Sequence, residues 1–204
     1  IERLKAQGRE SEIEDALAEL KKKKENEVPD IPEDLCDLSG EPFEDYLHDI
    51  ELCQQFARRN REIMASIILK RLGISGTDAF HTIHNYIDTK EMIIRKGSIA
   101  AHESEKVLIP INMRDGSILA VGKGNPEWNY SAPHGAGRVM SRMKAKQALS
   151  MKAYQETMKG IYTTSVTQAT LDEAPMAYKS LEDIINVIGE SVEIIEILKP
   201  IYNF

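Results

Sequence analysis

Apolar residues recur along the first part of the chain at the three- and four-residue intervals that place them on one face of a helix. Residues 2 to about 27 are rich in Glu, Lys, Leu and Ala, and they predict a first helix. Its apolar face is formed by Ile13, Ala16, Leu17 and Leu20. Pro32 and the pair Ser39-Gly40 then predict a connecting loop, because proline cannot continue a helix and glycine lets the backbone turn.

A second, longer helix is predicted between Phe43 and Leu72. Its apolar positions again follow the helical interval: Tyr46, Leu47, Ile50, Cys53, Ala57, Met64, Ile67 and Ile68. Gly73 comes directly after this pattern, and a glycine in that place is typical of a helix C-terminus. Residues 1–72 are therefore predicted to be a helical segment.

After Gly76 the pattern changes to short apolar runs bounded by turn residues, which is typical of strands. Four strands are predicted, at residues 79–87, 92–95, 106–111 and 117–122. Asp115-Gly116 stands between the last two runs and predicts a hairpin-type turn.

Helical periodicity returns between Val139 and Ile161 and again between Leu181 and Ile188. The order of elements lacks the regular strand-helix alternation of a parallel doubly wound sheet. We therefore predict an α+β fold, in which long N-terminal helices precede a strand-rich, mixed α/β core in residues 73–204.

Composition narrows the class of protein without revealing its function. A hydrophobic fraction of 42% is enough to bury a sizeable core. The formal net charge of -7 argues against a generally basic protein that coats nucleic acid, so any such contact needs a local basic patch. Cys36 and Cys53 lack the spacing of a zinc site, which favours a reduced cytoplasmic protein. The sequence contains no apolar run of membrane-spanning length and does not start with a signal peptide.

The motif HGAGRVMSR, which begins at His134, is the stretch most suggestive of chemistry. Gly135 and Gly137 carry no side chain, so backbone amides near them can approach an anion closely. If a helix begins near Arg138, its N-terminal amides point to the same place. Arg138 and Arg142 would then lie one helical turn apart and could bind phosphate together.

A histidine beside a phosphate-binding loop serves as a nucleophile, a general acid or base, or a metal ligand. A plain glycine-containing loop that leads into a basic helix accounts for the same residues without any chemistry. The residues alone leave both interpretations open.

HGAGRVMSR resembles the signature of the RtcB family of RNA ligases. Further segments resemble the family in the same order along the chain: DYLHD at 45–49, FARRNR at 56–61, HNY at 84–86, RKG at 95–97, VGKGNP at 121–126 and LDEAPMAYK at 171–179. The resemblance covers nearly all of the chain and implies an RtcB-like fold, of which the chain represents the C-terminal half.

The resemblance implies a ligase that depends on GTP and manganese, with two metal ions per site in the intact family. In such enzymes the histidine that matches His134 attacks the α-phosphate of GTP. The guanylate then passes to an RNA 3'-phosphate, which can start as a 2',3'-cyclic phosphate, and a 5'-hydroxyl displaces it. The biological process would be tRNA splicing or RNA repair.

The resemblance also assigns roles to other residues. His84 matches a manganese ligand on a predicted strand, while Lys96, Arg138 and Arg142 would contact RNA phosphates. The nucleotide-binding set would be His84, Asn85, Pro110, Ile111, Asn112, Met113, Ser117, His134, Gly135, Ala136 and Gly137.

The chain departs from the family pattern at several points. Ser117 fits the second of two serines that hold the guanylate, but Asn112 stands in place of the first. The remaining metal-ligand motifs of the family would lie before Ile1, and its guanine-contacting lysine would lie after Phe204. We therefore expect that a protein of these residues alone would not ligate RNA.

Two other functions fit the same residues. One is an RNA-binding or interaction module without turnover, and the other is a metal-dependent phosphohydrolase that uses His134 as its acid or base. For the ligase, the expected partners are GTP and RNA with 3'-phosphate and 5'-hydroxyl ends, and no membrane. We expect a monomer, and the need for an activating protein partner stays open.

Overall fold

The computed structural model describes Ala18, residues 37–76 and residues 79–203. The predicted helix at residues 2–27 lies outside the described residues, except for Ala18, which is helical. The chain divides into two compact units, Ile1–His48 and Asp49–Phe204. The boundary predicted from the sequence, at residue 72, stays a prediction.

The long helix predicted from Phe43 is confirmed as α1, Glu41–Leu72. Glu41 and Glu44 lie in its first turn, where a negative charge interacts favourably with the helix dipole. Its C-terminus is closed as predicted, because Gly73 donates to the carbonyl of Lys70 and the next amide donates to the carbonyl of Leu69. None of its 32 residues is buried.

Seven strands lie in the described residues of the second unit, all paired in antiparallel fashion. They are β1 (Asn85–Asp88), β2 (Ile93–Lys96), β3 (Ser98–Ala100), β4 (Lys106–Asn112), β5 (Gly116–Gly122), β6 (Ser131–Pro133) and β7 (Val192–Leu198). β1 pairs with β2, β3 pairs with β6, and β5 lies between β4 and β7 in a three-stranded sheet. The α+β class predicted from the sequence is confirmed.

The hairpin predicted at Asp115-Gly116 joins β4 to β5. Gly116 has a φ of +86°, and a Cβ atom added there would lie 1.9 Å from the carbonyl oxygen of Leu198 in β7. Only glycine fits this turn, because any other side chain would collide with the neighbouring strand.

The strand predicted at residues 79–87 is largely wrong, since β1 starts only at Asn85. His84, which was placed on this strand, precedes it. β1 starts no earlier because its partner strand ends opposite Asn85. β2 stops at Lys96, and Gly97 then turns the chain with a φ of +74°. Residues before Asn85 therefore find no strand to pair with.

The helical segment predicted between Val139 and Ile161 is confirmed in part, because the helix is interrupted. The structure contains two short helices, α2 (Arg142–Ala148) and α3 (Met151–Thr157), separated by the extended residue Leu149. Ser141 caps α2, and Ser150 accepts from the amide of Ala153 to cap α3. The apolar periodicity continues across the break, but the serine cap starts a new helix.

The last predicted helix is confirmed as α4, Leu181–Ile188. Ser180 and Asp183 form a capping box at its start. Ile184 and Ile188 of α4 pack into the main core, together with side chains from the inner face of the three-stranded sheet. A smaller core lies around Tyr154 of α3.

Arg95 of β2 is buried, with only 1% of its surface exposed. Its guanidinium donates to the hydroxyl groups of Ser131 and Tyr86. It also forms ion pairs with Asp88 and Glu91, at 3.5 and 3.7 Å. One buried cation therefore holds the β1–β2 hairpin against β6.

Arg95→Met should lower the free energy of unfolding by about 3 kcal/mol or more, because it leaves the partner carboxylates without their cation. For a chain of this length, such a loss corresponds to a drop of roughly 6–12 °C in melting temperature. Arg59→Met is the control, since Arg59 is exposed and a solvent-exposed ion pair such as Arg59–Glu62 adds little to stability. Equal melting temperatures for the two variants would contradict a structural role for Arg95.

Candidate active site

A cleft of about 980 Å³ opens in the second unit, beside the β4–β5 hairpin. Most of the residues that the sequence analysis assigned to a site line it: His84, Pro110, Ile111, Asn112, Met113, Ser117, His134, Gly135, Ala136, Gly137, Arg138 and Arg142. Asn85 and Lys96 do not line it. Segments far apart in sequence are thus brought to one concave surface, as expected for a ligand site.

His84 and His134 stack against each other in this cleft, with ring centroids 4.8 Å apart and ring planes 18° from parallel. The peptide backbone of Gly97 lies between their two segments. Its amide donates to the carbonyl of His84 at 2.8 Å, and its carbonyl oxygen lies 2.5 Å from Nδ1 of His134. A single residue therefore positions both histidines.

This contact decides which nitrogen of His134 carries the proton in the neutral ring. A carbonyl oxygen only accepts, so Nδ1 must be the donor, and the lone pair then resides on Nε2. A neutral imidazole with an unprotonated Nε2 is the form that can act as a nucleophile, a base or a metal ligand.

The two arginines of the motif converge, although they do not share a helix as the sequence analysis supposed. α2 begins only at Arg142, so Arg138 precedes it and the helix start predicted near Arg138 lies four residues later. Arg142 binds the carboxylates of Asp172 and Glu173, and Arg138 binds Glu173 at 3.4 Å. In this arrangement both guanidinium groups are paired with carboxylates.

The same contacts shift the acidity of the carboxyl groups. Hydrogen bonds from Arg142 and then Lys146 lower the pKa of Asp172 below its ordinary value. Burial acts to raise the pKa of Glu173, but hydrogen bonds from Tyr178 and Arg142 outweigh burial and lower it. Burial and the bond to Glu173 raise the pKa of Tyr178. At neutral pH these carboxylates are therefore charged and hold the arginines.

Asn112, which the resemblance placed at the position of a serine, uses its side chain within the hairpin turn. Its Oδ1 accepts from the amides of Arg114 and Asp115, and its Nδ2 donates to the Asp115 carboxylate at 2.9 Å. This is the asparagine turn that stabilises tight loops. The amide of Ala136 is likewise engaged, because it donates to the carbonyl of Pro110 at 3.0 Å.

Asn85 and Lys96 lie opposite each other where the β1–β2 hairpin meets Gly97. The Oδ1 atom of Asn85 accepts from the amide of Gly97 at 3.2 Å, so its carbonyl group supports the turn that positions the histidines. Lys96 is exposed.

Several residues that line the cleft were given no role by the sequence analysis: Thr82, Glu173, Tyr178, Lys199 and Asn203. Glu173 and Tyr178 belong to the LDEAPMAYK segment, whose resemblance to the family was the available signal. The resemblance marked the segment, but only the folded chain shows that its side chains bind the arginines.

The described residues do not form a complete metal site around His84. Within residues 37–76 and 79–203, Asp88, Glu91 and His102 are the residues that bring three ligand atoms within 4.8 Å of one another. Neither the composition nor the motifs pointed to this group. Arg95 already supplies a positive charge to Asp88 and Glu91, which disfavours a second cation there.

The stacked histidines, the two arginines and the glycine-containing loop lie on one concave surface. The profile of the family described as "tRNA-splicing ligase RtcB" matches residues 10–204, and the chain belongs to this family. Among the described residues, no helix is both long and apolar enough to cross a membrane.

Individual relatives agree with this assignment. The chain is 32% identical over 178 residues to an RNA-splicing ligase RtcB of Escherichia coli, covering 79% of this chain and 43% of the relative. It is 29% identical over 198 residues to a tRNA-splicing ligase RtcB of Archaeoglobus fulgidus, covering 79% and 41%. A shorter match to the Aeropyrum pernix protein is 41% identical over 88 residues, covering 41% and 18%. The chain thus spans less than half the length of these relatives.

Gly97→Ala should disturb the tautomer of His134, because an alanine at a φ of +74° is strained by about 1–2 kcal/mol and relaxes by moving the peptide. Nitrogen chemical shifts of the His134 ring should show a larger fraction of the form protonated at Nε2. Gly160→Ala is the matched control, since Gly160 has a φ of +84° and a Cβ there meets nothing within 4 Å. An unchanged His134 tautomer in the Gly97 variant would rule out this positioning role.

Acid should weaken the fold through Asp172. A carboxylate with a lowered pKa stabilises the folded state fully above its unfolded pKa of about 4, and this contribution disappears as the pH falls through the lower folded value. We expect Asp172→Asn to unfold at a lower temperature than wild type at neutral pH, and the difference to shrink below about pH 4. Thermal melts followed by circular dichroism across this pH range measure the difference in melting temperature. A difference that does not change with pH would refute the stabilising role of the Asp172 carboxylate.

Proposed function

We propose that this protein serves in the GTP-dependent joining of RNA 3'-phosphate and 5'-hydroxyl ends, with Nε2 of His134 as the acceptor of the guanylate. The observation that carries the proposal is the contact between Nδ1 of His134 and the carbonyl of Gly97. It leaves the Nε2 lone pair as the nucleophile in a cleft of sufficient size for a nucleotide.

In the first step, Nε2 of His134 forms a bond to the α-phosphorus of GTP while the bond to the β-phosphate oxygen breaks and pyrophosphate leaves. The guanylate then moves to an oxygen of the RNA 3'-phosphate, which restores the free imidazole. Attack by the 5'-hydroxyl forms the new phosphodiester and releases GMP. The alcohol proton goes to a base in the last step.

His134 is well placed for the first step because its ring is held on two sides. The ring of His84 packs against one face, and the Gly97 carbonyl holds Nδ1. A nucleophile that is already oriented loses little freedom when the phosphate binds, which lowers the barrier.

Arg138 and Arg142 are proposed to bind the RNA phosphate. Arg142 is 65% exposed, so its guanidinium can be reached from solvent. A phosphate would have to compete with Asp172 and Glu173 for it. Because guanidinium has several donors in a planar fork, Arg142 can keep one carboxylate while it binds a phosphate.

Manganese is proposed as the cofactor on the strength of the family, and His84 is the residue of this chain that would bind it. Neutral imidazole is a common metal ligand. A single histidine is an incomplete set, so no step above is assigned to the metal. When bound, the ion would offset negative charge on the phosphates.

An RNA-binding module without turnover is the second candidate. It is favoured by the incomplete ligand set around His84. Since the chain spans less than half of its relatives, we also expect that these 204 residues alone do not ligate RNA.

The test is to incubate the natural full-length protein with manganese and GTP labelled at the α-phosphate. We expect label bound covalently to the protein and lost in His134→Ala, because Nε2 of His134 is the proposed acceptor. His102→Ala is the control and should keep the label, since His102 does not line the cleft.

Two outcomes would overturn the proposed ligase function. Labelled nucleotide released without any protein adduct would indicate a phosphohydrolase. If neither an adduct nor released nucleotide is found but the protein still binds RNA, the result would indicate an RNA-binding module without turnover.

A further inference from the structure

A smaller cavity of about 340 Å³ adjoins the cleft. Six residues line it: Met113, Ser165, Thr170, Glu173, Tyr202 and Asn203. Met113, Glu173 and Asn203 also line the cleft, so the two spaces share a wall. The two spaces are therefore neighbours on the surface of the second unit.

Tyr202 lines this cavity, and the ring of Tyr162 packs beside that of Tyr202. The rings of Tyr162 and Tyr202 have centroids 5.3 Å apart and planes tilted by 39°. Tyr162 is 74% exposed and Tyr202 is 43% exposed. An aromatic pair that leaves this much ring surface in solvent offers flat apolar area to a planar partner.

The tyrosine pair is held in place by its backbone and by neighbouring side chains. Thr163 forms a parallel bridge with Asn203, which aligns the two segments. The hydroxyl groups of Tyr202 and Thr164 lie 2.8 Å apart. Asn203 donates from Nδ2 to the carbonyl of Met113 at 2.9 Å, which ties this end of the chain to the β4–β5 hairpin.

We propose that Tyr162 and Tyr202 form a stacking platform for one unpaired nucleobase bound beside the cleft. The identity of the ligand rests on the proposed function, which places RNA ends and GTP in the cleft. Aromatic side chains are the usual partners of unstacked bases in single-stranded RNA.

The platform should accept different bases. The hydroxyl group of Thr170 already bonds to the carbonyl of Ser165, and Glu173 is engaged by Tyr178 and Arg142. Few polar groups are thus left to read the edge of a base. Stacking without edge contacts tolerates any base, because each has a π-face.

Binding of a short single-stranded oligoribonucleotide to the full chain tests the platform, with 2-aminopurine as the reporting base. Tyr162→Ala and Tyr202→Ala should each weaken binding about fivefold or more at fixed salt, and the quenching of 2-aminopurine by stacking should decrease. Tyr162→Phe keeps the ring and should keep the affinity. Phe56→Ala is the matched control, because Phe56 is also 74% exposed and lines neither space.

A parallel measurement of GTP affinity distinguishes the source of the base. A loss confined to the oligonucleotide identifies a base of the RNA strand, and a loss confined to GTP identifies its guanine. An abasic oligonucleotide should be insensitive to the tyrosine variants. Three results would disprove the platform. The tyrosine variants could weaken binding of the abasic oligonucleotide as much as that of the intact one. Neither alanine variant could change the affinity for the oligonucleotide or for GTP, or the wild-type protein could bind neither ligand.

The outcome is separable from the ligase test. A protein that fails to label at His134 but loses oligonucleotide affinity in Tyr162→Ala would refute the proposed reaction and retain the platform. Labelling at His134, together with unchanged oligonucleotide and GTP affinities in the tyrosine variants, would support the proposed reaction and refute the platform.

Discussion

The candidate site depends on the peptide backbone of Gly97, which contacts both histidines at once. Its amide binds the carbonyl of His84 and its carbonyl contacts Nδ1 of His134. This geometry requires a positive φ between β2 and β3, and it requires β2 to be held in place. The buried Arg95, two residues before Gly97, holds β2 in place because its hydrogen bonds join β2 to β1 and β6.

Charge imposes a second constraint on the cleft. The protein is acidic overall, yet two arginines face its candidate site, and two carboxylates pair with them. Such pairing satisfies guanidinium groups that would otherwise be partly buried without a partner. Under the proposed function, an RNA phosphate would replace one of these carboxylates at Arg142, and affinity for RNA would depend on how readily that carboxylate is displaced.

Patterns of neighbouring residues correctly predicted the helices and the hairpin that are stabilised by contacts between residues close in sequence. α1 and α4 follow their apolar intervals and capping residues, and the β4–β5 hairpin follows its turn residues. The predictions were wrong or incomplete where strand pairing or a helix cap intervened. The run before Asn85 has no partner strand, and Ser150 starts a new helix inside a continuous apolar pattern. β3, β6 and β7 went unpredicted, because short strands are defined by the strand that pairs with them.

The sequence by itself determined the α+β class, the long helix and the motif around His134, because these depend on residue types at short, regular spacing. It also drew attention to most of the residues that line the cleft. Only the tertiary structure decided that His84 stacks on His134, that Nδ1 of His134 meets the carbonyl of Gly97, and that the arginines are bound by carboxylates. These contacts join segments dozens of residues apart, and their geometry depends on the packing of β1–β3, β6 and the loop before α2. No spacing along the chain encodes such distances directly.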